Sequence, residues 1–324
     1  MNPMPCSAGD GAHAPRPSVA AVIVTFNPEL ATLRNMIRAL QGQVEMIVIS
    51  DNGSELDARE EIAKLAGEYS CSFEAFGQNL GIGAAQNRGF DTAMKRDVQC
   101  PSADRYVLFL DHDSIPESSM VESLLAADLR LRGAGIRVGA VGPAIVDTRT
   151  GTTGRFITSG SVFVQRRSCD RACNEMPVDF IISSGTLVRA DAFAEIGGMD
   201  EALFIDHVDT EWCLRAKALG YALYGVCGAR LIHSLGDEVV PVWLGRKREV
   251  FVHSPLRDYY MCRNTVLILR TARMSPGWRL FLCMRLVGSI VFFGATQTPR
   301  LQRLRCMAAG LRDGLLGRQG KWSP

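Results

Sequence analysis

An α/β fold is expected: a mostly parallel sheet with helices on both faces, followed by a helical C-terminal region. Three observations predict it. Short apolar, β-branched runs alternate with segments of helical spacing. Polar and glycine-rich insertions follow the strands rather than the helices. Beyond residue 245 the strand pattern gives way to long apolar segments that carry arginines.

SVAAVIVTF (18–26) reads as a strand buried on both faces. Asn27 suits a helix cap and Pro28 a first turn. Apolar residues at 30, 33, 36, 37 and 40 then give a helix one buried stripe. VEMIVIS (44–50) is the second strand, and DNGSELD turns at its end. A helix over 58–67, a strand over 71–76 and a helix from LGIGAAQNRGF to about Met94 follow. The fourth strand, 104–110, ends in DHDS. Next come a helix over 116–132, a strand in VGAVGPAIVD and a Gly-rich turn between short strands over 151–167. VDFIISSGTLVRADAFAEIGG reads as a strand, a small-residue turn, a second strand and a helix. FIDHVDTEWCLRAKALGY gives a turn and a helix with a Gly stop, and ALYGVCGARLIHS a last strand.

The 324 residues, 47% of them hydrophobic, suffice for one large domain. We expect a flexible leader over 1–17, a domain over 18–244 and a basic helical region over 245–324. The leader lacks the basic and apolar stretches of a signal peptide. Residues 245–324 carry 15 Arg or Lys against three acids, net +12, which leaves −10 for the rest of a chain whose total is +2. This split suits an anionic membrane surface or a merely solvated basic face, and not nucleic acid. The expected location is the cytoplasm, at the inner face of the membrane. Ten scattered cysteines point to a reducing compartment. Cys169 and Cys173 are too isolated for a metal site, and Cys213, Cys262 and Cys283 read as buried thiols.

PGWRLFLCMRLVGSIVFFGATQ (276–297) is interrupted by Arg279 and Arg285. Its longest charge-free stretch, 286–299, has 14 residues, whereas a spanning helix needs about 20. A surface-lying helix with snorkelling arginines fits, as does a helix packed on the domain. Trp278, Phe281, Leu282, Arg285, Ser289 and Phe292 fall on one helical face, which on the first reading meets lipid.

The chemistry gathers at strand ends, where open α/β sheets bind ligands. Asp111 and Asp113 flank His112 directly after YVLFL. Residues two apart on extended chain face the same side, so the pair can hold Mg²⁺ or Mn²⁺, with diphosphate oxygens completing the shell. An acidic turn capping the next helix is the plainer reading. Asp51 and Asn52 can bond a base or ribose, or form a simple Asx turn. Gly81 supplies a place for close backbone approach to a ligand, and Asn87 and Arg88 supply polar reach. Asp209 sits in the first turn of its helix, where the dipole favours a charged general base. Asp206 and Glu211 are alternatives, though Arg215 pairs with Glu211 at i+4. His233, after a strand, offers a third metal ligand or ordinary polar packing.

VTFN, DNGS, NLGIGAAQNRG, DHD, SSG, DHVDTEWCLRAKALGY, HSLG and YYMCRN stand in the order found in glycosyltransferase family 2, of the GT-A fold. The chain resembles that family from about Val19 to Leu269. The resemblance implies that Thr25, Asn27, Asp51 and Asn52 line a nucleotide pocket and that Asp111, His112 and Asp113 lie at the metal-diphosphate site. It also implies inversion with Asp209 as base, although Val208 stands where the family usually has Glu. Within the family the motifs resemble a rhamnosyltransferase of bacterial surface-polysaccharide synthesis. The donor would be dTDP-L-rhamnose and the acceptor a lipid-linked or lipopolysaccharide glycan. UDP-galactose or UDP-galactofuranose donors, a nucleotidyltransferase and a non-catalytic glycan-binding protein are the alternatives.

Overall fold

The computed structural model describes residues 17–96, 105–147, 151–160, 163–169, 174–233, 238–243 and 247–323. The leader, apart from Pro17, lies outside them, as do Cys173 and the HSLG residues after His233. In chain order the first half is β1 (Ser18–Thr25), α1 (Leu30–Leu40), β2 (Met46–Asp51), α2 (Leu56–Glu68), β3 (Ser72–Ala75), α3 (Ile82–Arg96), β4 (Arg105–Asp111), β5 (Ser114–Pro116), α4 (Met120–Gly133) and β6 (Val138–Asp147). A hairpin, β7 (Phe156–Ser159) and β8 (Val164–Arg167), leads to β9 (Glu175–Val178), β10 (Leu187–Arg189) and α5 (Ala190–Ile196). Then come α6 (Val208–Ala218), β11 (Ala222–His233), the hairpin β12 (Glu238–Trp243) and β13 (Lys247–Val252), α7 (Pro255–Thr271), α8 (Pro276–Thr296) and α9 (Arg300–Leu315).

Among the described residues the main sheet runs β3-β2-β1-β4-β10-β6-β11-β5, with β9 also on β11. Alternation along the strands splits the core into two layers. Ala20, Val22, Val107 and Phe109 face one cluster, and Val19, Ala21, Ile23, Leu108 and Leu110 face the other. The sheet is mixed rather than mostly parallel. β10 lies antiparallel between β4 and β6, and β5 and β9 run antiparallel to β11. Strand direction depends on how the small-residue turn at Ser183–Gly185 returns the chain, which the apolar pattern does not encode.

Three local expectations change. The first helix begins at Leu30, and Asn27 does not cap it. Asn27 adopts φ 45° and its Oδ1 accepts from the Glu55 N–H at the start of α2, so it ties two strand-end loops together. Cys169 and Cys227 form a disulfide, so the cysteines no longer argue for a reducing compartment. Cys213 and Cys262 are buried thiols as expected, but Cys283 is exposed on the outer flank of α8.

The C-terminal helices share the core of the sheet. Leu267, Ile268, Trp278 and Leu282 are buried in the same cluster as Val208 and Trp212 of α6. Trp278 also donates its indole N–H to Asp179 at 2.9 Å, a buried carboxylate that Ser159 and Lys217 also contact. The helix α8 is 21 residues long, apolar enough to cross a membrane by length and composition, and little buried. Its two arginines sit within a continuous helix, so counting the charge-free stretch understated it.

Helix α3 lies against β1 and β2 because Gly89 lets it. A Cβ there would stand 2.3 Å from Val22 Cγ1 and 2.6 Å from Ser50 Oγ. Gly89→Ala should therefore lower stability by about 1–3 kcal/mol in urea unfolding, by overpacking, although helix propensity alone favours Ala. A stabilised variant would refute this packing account.

Candidate active site

Strand register sets the site. Thr25 pairs with Asp51 across β1 and β2, and Val24 pairs with Asp111 across β1 and β4. Three adjacent carboxyl ends thus bring Asp51, Thr25 and Asp111 into one row.

At the β1–β2 end the polar groups brace one another. Thr25 Oγ1 donates to Asp51 Oδ1 at 2.9 Å, and the Ser54 N–H and hydroxyl also bond that buried carboxylate. Asn52 Oδ1 accepts from the Leu80 N–H at 2.9 Å, and its amide reaches Asn79. Gly53 at φ 86° is needed here, since a Cβ would lie 2.3 Å from the Gln78 carbonyl carbon. Gly81, at φ 95°, serves a close approach, but to protein. A Cβ there would lie 2.6 Å from the Phe204 carbonyl oxygen. Asn87 does not face this row. Its amide bonds the backbone of Met199 in both directions and donates to Glu201. Arg88 stacks over Phe76.

At the β4 end Asp111, Asp113 and His233 each present a ligand atom within 4.8 Å of the others. His233 Nδ1 lies 3.3 Å from Asp113 Oδ1 and 2.8 Å from Ser114 Oγ. Ser114 meets Ser184 at 2.7 Å, and Ser184 Oγ accepts the Asp111 N–H. Two carboxylates and an imidazole are a donor set for Mg²⁺ or Mn²⁺ with open positions left for oxygen ligands. Burial raises the Asp111 carboxyl above its ordinary range, with His233 opposing and Asp113 adding to the rise. Burial also works against the charge on Asp113, but its hydrogen bond with His233 wins and holds it low. His233 is raised because the carboxylates outweigh its own burial. His112 Nδ1 lies 3.4 Å from the Val24 carbonyl, beside the pair.

The third group is the turn into α6. Asp206 makes a bidentate pair with Arg257, at 2.8 and 2.6 Å. Glu211 is held by Arg215 on both oxygens. Asp209 accepts from the Thr210 N–H at 2.7 Å and has no basic partner within salt-bridge distance among the described residues. Burial pushes its carboxyl up to about 6, against the Thr210 N–H and the charge of Arg285. Desolvation thus outweighs the helix dipole, which alone would keep Asp209 fully charged. His207 is driven down to about 4 by burial and Arg285, so it is neutral.

A profile of glycosyl transferase family 2 matches residues 20–197, more than half of the chain. The chain belongs to glycosyl transferase family 2. It is therefore an enzyme, which sets aside the nucleotidyltransferase and glycan-binding alternatives. It is similar to dTDP-rhamnosyl transferase RfbF of Shigella flexneri, 29% identical over 309 residues that cover 94% of this chain and 97% of that one. Its fold resembles GalNAc-T7 solved with UDP, GalNAc and Mn²⁺, at a TM-score of 0.55 and 14% identity over 87% of this chain. It also resembles TarS of S. aureus, at 0.50 and 13% over 92%. The chain spans 58% and 49% of those two structures, so they speak to the GT-A fold alone.

Ser184, Arg257, Asn264 and Arg285 were not singled out as site residues from sequence. Ser184 and Asn264 do lie in the quoted SSG and YYMCRN motifs, whose roles emerge from their contacts. A group with Asp209's environment titrates near pH 6, and the sign follows from its direction. The native state favours its protonated form, so its contribution to stability is present below about pH 4 and lost as pH rises through about 6. In chelator, Asp209→Asn should thus be more stable than wild type at pH 8, on the order of 2 kcal/mol, and equal to it near pH 4. Urea melts across this range would check it; a gap that widens towards acid would contradict the assignment.

Proposed function

We propose that this glycosyltransferase transfers L-rhamnose from dTDP-L-rhamnose, with inversion, to a hydroxyl of a lipid-linked or lipopolysaccharide glycan. The near end-to-end match to a dTDP-rhamnosyl transferase carries the donor assignment. In this reading Asp209 takes the acceptor proton as the hydroxyl oxygen attacks the anomeric carbon and the bond to the diphosphate breaks. Among the three acids of the DHVDTE turn, Asp206 and Glu211 are neutralised by arginines, which supports Asp209 as the base. Asp111, Asp113 and His233 would hold the divalent ion, with His112 alongside. When bound, the ion offsets charge on the leaving diphosphate. Thr25, Asn27, Asp51 and Asn52 would shape the nucleoside end, with Gly81 fixing the loop behind it. Asn87, already committed to Met199 and Glu201, is left to that structural task.

Release of dTDP or UDP from a donor panel tests the donor. We expect turnover with dTDP-L-rhamnose and at least tenfold less with UDP-galactose or UDP-galactofuranose. Chelator or Asp113→Asn should abolish most turnover. Asp209→Asn should keep nucleotide binding while turnover falls ~10²–10⁴-fold. Full activity of Asp209→Asn would move the base elsewhere, and a preference for a UDP-sugar would replace the rhamnose reading.

The same reading includes docking of the C-terminal region on an anionic leaflet of the cytoplasmic membrane. Its face is not the one expected from sequence. Trp278 and Leu282 turn inward, and Leu280, Met284, Val287 and Val291 form the outer stripe, 43–65% exposed. Basic residues near such a surface contribute about 1 kcal/mol each. Co-sedimentation with liposomes should rise with anionic lipid, weaken with salt and fall sharply in Met284→Glu/Val291→Glu. Binding that ignores both lipid charge and these substitutions would remove the membrane from the account.

A further inference from the structure

We propose that the segment Gly320–Trp322 straps the turn leading to Asp209, with Trp322 as a positioning residue for transfer; this rests on the reading of Asp209 as the base. After α9 the chain bends twice. Gly317 and Gly320 adopt φ of 73° and 77°, in the left-handed region, and nothing lies within 4 Å of a Cβ at either. Backbone conformation, not space, therefore calls for glycine at both. The bends bring the chain back onto α7 and the 3₁₀ turn Glu201–Leu203. The Gly320 N–H donates to the Ala202 carbonyl at 2.7 Å, and the Gly320 carbonyl accepts from Arg263 at 2.6 Å. The same buried guanidinium donates to the Leu203 carbonyl at 2.9 Å, so one cation ties the segment to the turn. Trp322 completes the contact. Its backbone N–H donates to the Tyr260 hydroxyl at 2.8 Å, and its ring stacks on Tyr259 with centroids 4.4 Å apart. Tyr260 in turn stacks on Phe204, with centroids 5.1 Å apart. Phe204, Tyr259, Tyr260 and Cys306 form a small buried cluster apart from the two layers of the sheet core, and Trp322 packs against it.

The partners of this segment are the residues that hold the turn. Ala202 leads into it, Arg263 and Tyr260 fix it, and Phe204 is its first left-handed residue. On the opposite side the Ile82 N–H holds the Phe204 carbonyl at 2.8 Å. Phe204 is thus caught between the start of α3 and an aromatic group whose outer member is Trp322. The backbone from Phe204 to His207 enters α6 and sets where Asp209 stands. Loss of the Trp322 ring frees Tyr260, and with it Phe204. The metal and nucleotide residues hold one another through bonds that include none of these aromatics, such as Thr25 to Asp51 and Ser114 to His233. A fault at Trp322 therefore falls on turnover and spares nucleotide binding. Misplacing a catalytic group by about an ångström can lower a rate ~10²-fold. Trp322 is half-buried at the outer edge of its cluster, so removing it opens no void in the sheet core.

The test compares the full chain with Trp322→Ala, Trp322→Phe and Tyr260→Phe. Turnover is read as nucleotide release from whichever donor of the panel works best. Affinity for the released nucleotide, dTDP or UDP, is measured by calorimetry with Mn²⁺, and amide hydrogen exchange is followed by peptide. In Trp322→Ala turnover should fall at least tenfold and nucleotide affinity move less than threefold. Amides over 202–209 should exchange at least tenfold faster, while those of β1, β2 and β4 keep their rates. Trp322→Phe, which keeps a ring on Tyr259, should recover most of the turnover. Tyr260→Phe removes the hydroxyl that takes the Trp322 N–H, keeps the ring on Phe204, and should fall between the two. Equal turnover in wild type and Trp322→Ala overturns the proposal. So does a loss of turnover with unchanged exchange over 202–209, or one matched by an equal loss of nucleotide affinity. Faster exchange throughout the sheet with a lower urea midpoint also overturns it, by making Trp322 a general support. Failure of the base reading shows separately, as full activity of Asp209→Asn, because hydrogen exchange at the turn requires no chemistry.

Discussion

Asp209 is positioned by a stretch of backbone held in a conformation it would not adopt alone. Phe204, Asp206 and His207 have φ of 65°, 64° and 65°. The left-handed region costs a residue with a side chain roughly 1–2 kcal/mol. Helix α7 supplies the compensation. The Asn264 amide donates to the carbonyls of Leu203, Ile205 and Asp206. Arg263, fully buried between Tyr259 and Tyr260, bonds the carbonyls of Leu203 and Gly320. Thr265 meets His207 at 3.0 Å, and Arg257 grips the Asp206 carboxylate. From the other side the Ile82 N–H donates to the Phe204 carbonyl, and Gly81 permits that approach. The turn that carries Asp209, the proposed base, is thus a joint between α3 and α7, and loosening either one moves Asp209.

The reversed strand serves the other half of the site. β10 enters between β4 and β6 against their direction, and the turn before it crosses the carboxyl end of β4. This crossing delivers Ser184 to the Asp111 N–H and to Ser114, which in turn meets His233. Gly185 at φ 87° is required, because a Cβ there would stand 2.6 Å from Pro143. A parallel strand at this place would bring its own start, not a turn, to the wrong end of the sheet.

The sequence made legible what depends on local pattern. Buried runs located β1, β2 and β4, and their ends located Asp51, Asp111 and Asp113. Spacing along α6 paired Glu211 with Arg215. What depends on partners from far along the chain was not legible. The direction of β10, the Asp206–Arg257 pair and the Cys169–Cys227 bond join segments whose approach no local period records. Asn87 and Gly81 looked ligand-directed because polar reach and small size suit a ligand and a neighbouring turn equally well. The charge state of Asp209 also escaped, since the helix start was visible and the desolvation was not. The facing of α8 reversed for a similar reason. Its spacing fits two opposite stripes, and contact with the α6 cluster decides which one is inward.

The charge asymmetry of the chain takes a different meaning once the partners are known. The excess of +12 beyond residue 245 suggests a broad cationic surface. Much of it is fixed internally. Arg303 is buried against Asp258, Arg312 and Arg318 share Asp313, and Arg257 holds Asp206. Arg263, Arg270 and Arg279 are aimed at backbone carbonyls. Most of these partners lie within the C-terminal region itself, and only Arg257 at Asp206 and Arg263 at the Leu203 carbonyl reach the acidic domain. Charge counted along the sequence is therefore an upper bound on charge offered to a bilayer. In the proposed membrane docking, apolar contact through the outer stripe of α8 would then carry a larger share than composition implies, because these arginines contribute first to the packing of the C-terminal helices.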